Sequence, residues 1–158
     1  MGRDERLERL TQTWRWLFEP SSFELLEISP FGDLLLRDAA GVYWLLDVNF
    51  GRLEGPAARG GAAAEMFPDN FDGRLAGRYR AAEIELREGQ CYAYTTLVIA
   101  KEGSFEPSNV WAAPMEEYVR MMGDLHGQLR GVADGTQVRV VAKNLRGEDH
   151  AIGVPADL

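Results

Sequence analysis

The apolar positions of this chain change period along its length, and each change marks an element. Leu7, Leu10, Trp14 and Leu17 recur at helical spacing until Pro20, which predicts an amphipathic helix over 4–18, with Trp16 off the stripe as an exposed aromatic. A short strand is expected at 24–28. Two apolar runs, Leu34 to Leu36 and Val42 to Leu46, then flank Arg37-Asp38-Ala39-Ala40-Gly41. This is a β-hairpin with its turn spelled out: Asp38 can bond its own turn backbone, and Gly41 can take a positive φ. A third strand is expected at 52–54, after the turn Val48-Asn49-Phe50-Gly51. Asp33, Asp38 and Asp47 sit where turns and strand ends want short acceptors, so they are expected in solvated turns with no catalytic role.

The Gly/Ala-rich stretch from Gly55 to Ala64 reads as a loop, too short and apolar to separate two cores. Leu75, Tyr79, Ala82 and Leu86 predict a helix over 74–87, closed by Gly89-Gln90. The β-branched and aromatic run Tyr92 to Ile99 predicts a strand, and another is expected at about 108–113 through Val110 and Trp111. Pro114 then opens the strongest helical pattern in the chain: Met115, Tyr118, Val119, Met122, Leu125, His126 and Leu129 form one unbroken stripe. Gly131 ends it, a last strand is expected from Gln137 to Ala142, and a polar tail over 144–158. The order of elements predicts one α+β domain, a mostly antiparallel sheet with about three helices packed on one face.

Composition narrows the class. Of the 158 residues 46% are apolar, which excludes a disordered chain, and 158 residues suit one domain with a real core. The single cysteine, Cys91, excludes an internal disulfide framework and fits a reducing cytosol. The charged start lacks a signal-peptide pattern, and no apolar run is long enough to span a membrane. Net charge is −8, spread as −2 over residues 1–30, −3 over 31–99 and −3 over 100–158. With no basic stripe, nucleic acid is not an expected partner; basic protein surfaces are.

Reactive chemistry is sparse in the pattern. His126 lies on the apolar stripe beside Met122 and Leu129, where a buried, hydrogen-bonded structural role is expected rather than a ligand. His150 falls in the polar tail, and Cys91 reads as a small core residue. There is no phosphate-cradling glycine loop, zincin motif or nucleophile elbow. Glu116-Glu117 and Glu83/Glu85 read as solvated faces rather than acid–base pairs. No enzyme, metal or cofactor is therefore expected, and no catalytic residue is nominated.

Three stretches occur together in a telling order: Gly32 to Asp47, Gly89-Gln-Cys-Tyr-Ala-Tyr94, and Met115 to Leu129, with Asp134-Gly-Thr-Gln-Val138 behind them. This set, from about Phe23 to Val141, resembles the C-terminal domain of the immunity proteins that neutralise type VI secretion DNase toxins. The resemblance implies an antitoxin that stays in the cytosol of the toxin's producer and binds the toxin domain. The acidic balance agrees, because a nucleic-acid-cleaving toxin carries a basic cleft that an acidic inhibitor can steer onto. The expected contacts are carboxylates near aromatics: Asp69 and Asp72 around Phe71 in a loop, and Glu116, Glu117 and Asp124 flanking the long helix. Two other classes stay open. An interaction or scaffold module would use Trp16, Trp111 and the acidic helix ends equally well. A small-molecule enzyme would need a deep pocket in which Cys91, His126 or paired carboxylates converge.

Overall fold

The computed structural model describes residues 3–133, 135, 138–143 and 149–154. Helix α1 (Arg3–Thr11) leads through two 3-10 turns, Gln12–Trp14 and Pro20–Ser22, into strands β1 (Phe23–Ile28), β2 (Leu34–Asp38), β3 (Tyr43–Asp47) and β4 (Arg52–Glu54), which pair antiparallel in that order. Two short helices, α2 (Ala63–Met66) and α3 (Pro68–Phe71), precede α4 (Arg74–Ala81). Strands β5 (Gln90–Tyr94) and β6 (Val110–Pro114) form a separate antiparallel ribbon, followed by the long helix α5 (Met115–Leu129). Strands β7 (Val138–Lys143) and β8 (Asp149–Val154) pair as a second ribbon. The class is α+β, with every strand pair antiparallel among the described residues.

The hairpin forms as its turn chemistry dictates. Leu34 faces Leu46 and Leu35 faces Leu45 across the β2–β3 register. Asp38 accepts the Ala40 and Val42 N–H groups at 2.9 Å each, and Gly41 sits at φ +80°. The consecutive leucines have a further meaning. Leu34, Leu36 and Leu46 join the main core with Leu7, Leu10, Trp14 and the apolar stripe of α5, whereas Leu35 and Leu45 face the other way onto Phe67. A strand apolar at every position is a strand covered on both faces. The expectation of helices on one face is corrected accordingly: α2–α3 cover the second face.

Four boundaries differ from the sequence expectation, each for a local reason. The helix expected over 4–18 ends at Thr11, whose Oγ1 donates back to Leu7 O at 2.6 Å, a bond that competes with helical continuation. The helix expected over 74–87 stops at Ala81, because Glu83 takes φ +66° and Ile84 N–H reaches back to Tyr79 O at 3.0 Å. The strand expected through Ile99 stops at Tyr94. Beyond it Asn109 pins the chain by accepting from Thr96 N–H and donating to Thr96 O and Ser104 O. The apolar run was still telling, since Leu97 and Ala100 are buried in that loop. Lastly, 149–154 of the expected tail, including His150, belongs to β8. Residues 144–148 and 155–158 lie outside the described residues, as do Asp134, Thr136 and Gln137 of the fourth motif.

The N-terminal segment and α5 are tied closely. Trp14 Nε1 donates to Val119 O (2.9 Å), Trp16 Nε1 to Gly123 O (3.0 Å) and Thr13 Oγ1 to Arg120 O (2.6 Å). Gly123 permits the approach: a Cβ there would lie 2.3 Å from Thr13 Oγ1 and 2.7 Å from Trp14 Cδ1. Trp16 is thus half-buried and stacked on Trp14, not the exposed aromatic that the periodicity suggests.

Candidate functional site: an acid-lined cleft with an aromatic lip

Four segments converge at one end of the hairpin sheet: the β1–β2 turn, the β3–β4 turn, α3 with the start of α4, and the loop after β5. Between them lies a cleft of about 660 Å³. Asp33 and Asp47 lie at its base. Asn49, Arg52 and Glu54 come from the β3–β4 turn and β4, Asp69, Asn70, Asp72, Arg74 and Arg78 from the helical side, and Tyr94 and Phe105 from the far side.

Asp33 is only 1% exposed, and protein donors take both its oxygens. Oδ1 accepts Val48 N–H at 3.1 Å; Oδ2 accepts Ser29 Oγ–H at 3.0 Å and Asn70 Nδ2–H at 2.8 Å. One carboxyl therefore latches the β1–β2 turn, the end of β3 and α3 together. Burial, and then the nearby Asp47 carboxylate, push its pKa up to about 7 in spite of those three bonds. Asp47, 6% exposed, is also raised, chiefly by burial. It accepts Phe50 N–H at 3.0 Å, and no side chain among the described residues donates to it. Both are buried, which corrects the expectation of solvated turn aspartates; only Asp38 behaves that way.

The cleft's cations are already engaged. Arg52 pairs with Glu54 (2.7 Å), Arg74 with Asp72 (2.5 Å) and Arg78 with Glu106 (2.6 Å). Five carboxylates line the cleft against these three guanidinia, and Asp33, Asp47 and Asp69 have no cationic partner within ion-pair distance among the described residues. At the lip stand Phe50 and Phe105, 39% and 41% exposed, with ring centroids 6.4 Å apart. Arg52 lies over the Phe50 ring at 5.1 Å, and Tyr94 meets Phe105 edge-on at 5.6 Å. Tyr79 steadies this side, its hydroxyl donating to Phe105 O at 2.8 Å and meeting that of Tyr94 at 2.9 Å.

The expected contact residues divide between this cleft and elsewhere. Asp69 and Asp72 line it, although on and beside the short helix α3 rather than in a loop; Asp72 also accepts Arg74 N–H at the start of α4. Phe71 packs instead against the Leu35, Leu45 and Phe67 cluster. Glu116 is paired with Arg9 and clasps α5 to α1. Glu117 is exposed, and Asp124 accepts from Gln128 at 3.0 Å; none of these three lines the cleft. Sequence reading missed Phe50 and Phe105. The available signal was a phenylalanine between Asn49 and Gly51 in a turn, and another in the polar stretch Glu102 to Ser108.

Reactive groups are poorly placed for chemistry. Cys91 is fully buried and its thiol is pushed far up by burial. His126 is buried with its pKa lowered by burial, and its Nε2 has no hydrogen-bond partner. Among the described residues no cluster of His, Cys, Asp and Glu could hold a metal ion, and no helix is long and apolar enough to cross a membrane. No family model, curated protein or solved structure matches the chain.

Proposed function

We propose that this chain is an immunity protein that binds a basic toxin domain through the cleft and covers the toxin's working surface. The observation that carries this is the lip itself: two exposed, mutually packed phenylalanines above carboxylates that outnumber the cleft's arginines. Aromatic anchors supply binding energy when desolvated, and surrounding carboxylates supply orientation and a fast encounter with a positive partner. The motif resemblance and the net charge of −8 point the same way. In this proposal the partner is a nuclease-like toxin met in the cytosol, and the chain itself performs no reaction.

Co-expression with the toxin encoded beside its gene is the direct test. Protection, and a 1:1 complex that weakens with salt, are expected. Replacing Phe50 and Phe105 together by Ala should weaken the complex by at least ~30-fold, about 2 kcal/mol, as for a pair of hot-spot aromatics. If no neighbouring gene product is toxic, or none is bound, the proposal falls. A scaffold module would also bind a partner, but deleting its gene would leave the cell no more sensitive to its siblings.

The buried Asp33 and Asp47 carboxyls, close enough for one charge to raise the other's pKa, favour one rival, an acid–base enzyme. Against it, both Asp33 oxygens already serve protein donors, three of them in all, and the carboxyl is 1% exposed, so it is held as a structural latch rather than presented to a substrate. The rival requires turnover that Asp33→Asn abolishes; a binding protein requires Asp33→Asn to keep protecting.

A further inference from the structure

Resting on the toxin-binding reading and deepening it, we propose that the cleft is a receptor for one arginine side chain projecting from the partner's surface, its guanidinium stacked at the Phe50–Phe105 lip and bonded to Asp47 and Asp69. The proposal begins with a vacancy in the charge pattern. All three arginines at the cleft are paired with Glu54, Asp72 and Glu106, while Asp47 and Asp69 make no direct ion pair among the described residues; Arg52, opposite Asp47 in the β3–β4 register, acts on it only from a distance. Asp47 is the more telling of the two. It is 94% buried, lines the cleft, and is met by the backbone N–H groups of Phe50 and Asn49 but by no side-chain donor among the described residues. A buried carboxylate without a direct ion pair is costly, and burial, with the Glu54 charge beside it, holds the Asp47 pKa up although Arg52 pulls the other way. A positive group entering the cleft would lower it.

The lip selects which cation. Phe50, Phe105 and Tyr94 present faces and edges around the entrance, and Arg52 resting on Phe50 at 5.1 Å shows that this lip already accepts a guanidinium. A guanidinium is planar, weakly hydrated and forked. It can lie on a ring and still offer two parallel N–H groups to a carboxylate, whereas a lysine ammonium is compact and strongly hydrated. The long arginine stem also lets the guanidinium sit between the lip and the carboxylates while the partner's backbone stays outside the cleft. Citrulline, of the same shape but uncharged, would leave Asp47 uncompensated.

The test uses the full chain, isotopically labelled, and N-acetyl-arginine-amide as probe, followed through backbone amide shifts. Saturable shifts at Phe50, Asn70, Tyr94 and Phe105 are expected, with a dissociation constant on the order of 10 mM for so small a ligand. N-acetyl-lysine-amide should bind several-fold more weakly and the citrulline analogue not measurably. Asp69→Asn, at an exposed position, and Phe105→Ala should each weaken binding at least ~5-fold, and the remote Glu117→Gln should leave it unchanged. Asp47→Asn should abolish binding, with the amide spectrum reporting whether that variant is folded. Absent shifts, shifts away from the cleft, or equal binding of arginine and citrulline analogues would overturn the proposal. Protection from the toxin without arginine binding would overturn this inference alone; arginine binding without any neighbouring toxin partner would keep the receptor and remove the immunity reading.

Discussion

Replacing Asp33 by Asn should remove the largest share of the stability loss that the parent chain shows as pH rises from 5 to 8. Burial pushes the Asp33 carboxyl up to about 7 in the fold, against its ordinary 3.8. For an acid shifted upward the sign is fixed. Below the unfolded value both states are protonated and the group contributes nothing. Between the two values the unfolded chain ionises while the native one holds its proton, so stability falls as pH rises, and it levels off above the folded value. The full loss is about 4 kcal/mol at ~1.4 kcal/mol per pH unit, of which roughly 2–3 kcal/mol falls between pH 5 and 8. Asparagine removes this loss but not without penalty. It can still accept Val48 N–H, and the Asn70 amide can turn to meet it. The Ser29 hydroxyl, already accepting Phe31 and Asp33 N–H at 3.1 Å each, would lose its acceptor, costing about 1 kcal/mol. Asp33→Asn should therefore be close to neutral at pH 5 and about 2–3 kcal/mol more stable than the parent at pH 8. Urea midpoints at constant ionic strength across this range test it, and the variant-minus-parent difference cancels His126, which titrates in both proteins. A difference that does not grow with pH would show that Asp33 is ionised throughout and that the latch costs the fold nothing.

Other outcomes follow from neighbouring contacts. Gly51→Ala should cost about 2–4 kcal/mol in thermal unfolding, because Gly51 sits at φ +70° and a Cβ would lie 2.4 Å from His126 Cγ; a melting point within a degree of the parent's would contradict that packing. The His126 imidazole should titrate below its ordinary value of 6.5 in a nitrogen-15 NMR experiment, and the stability it withdraws should be lost as pH falls through 6.5, opposite to Asp33. A midpoint at or above 6.5 would mean the ring is solvated or paired. Cys91 should react with thiol reagents only as fast as the chain unfolds, since it is fully buried with its thiol held protonated; prompt stoichiometric labelling of the native protein would refute this.

The sequence was most legible where local chemistry and tertiary demand agree. Asp38 and Gly41 spell the hairpin turn, and Met115 to Leu129 carry a stripe that only a helix can use, so both were read with the right partners. It was least legible where one residue overrides a pattern. Glu83 in a left-handed conformation ends α4 without the glycine that would announce it, and the Asn109 side chain turns an apolar strand candidate into a buried loop. The cleft fell between these cases. Asp69 and Asp72 were legible as acids near an aromatic, but the aromatic that mattered could not be named, because Phe71 turns to Phe67 while Phe105 arrives from 34 positions further along the chain. Burial of Asp33 and Asp47 was invisible for a similar reason: the same aspartate at a strand end is solvated or latched depending on whether an α3 packs over it.

The bonds from Trp14 and Thr13 to α5 span 105 and 107 positions, so the first element of the chain is finished by its last long helix. During synthesis Leu7, Leu10 and Trp14 leave the ribosome before the surfaces that cover them; β1 to β3 arrive first, and the cover is completed only when α5 has followed. A messenger cut short before the end of α5 would yield aggregating chains rather than a weaker binder. On the proposed immunity reading, protection would then come only in whole copies, and a cell's margin would be set by how many finished chains were already waiting.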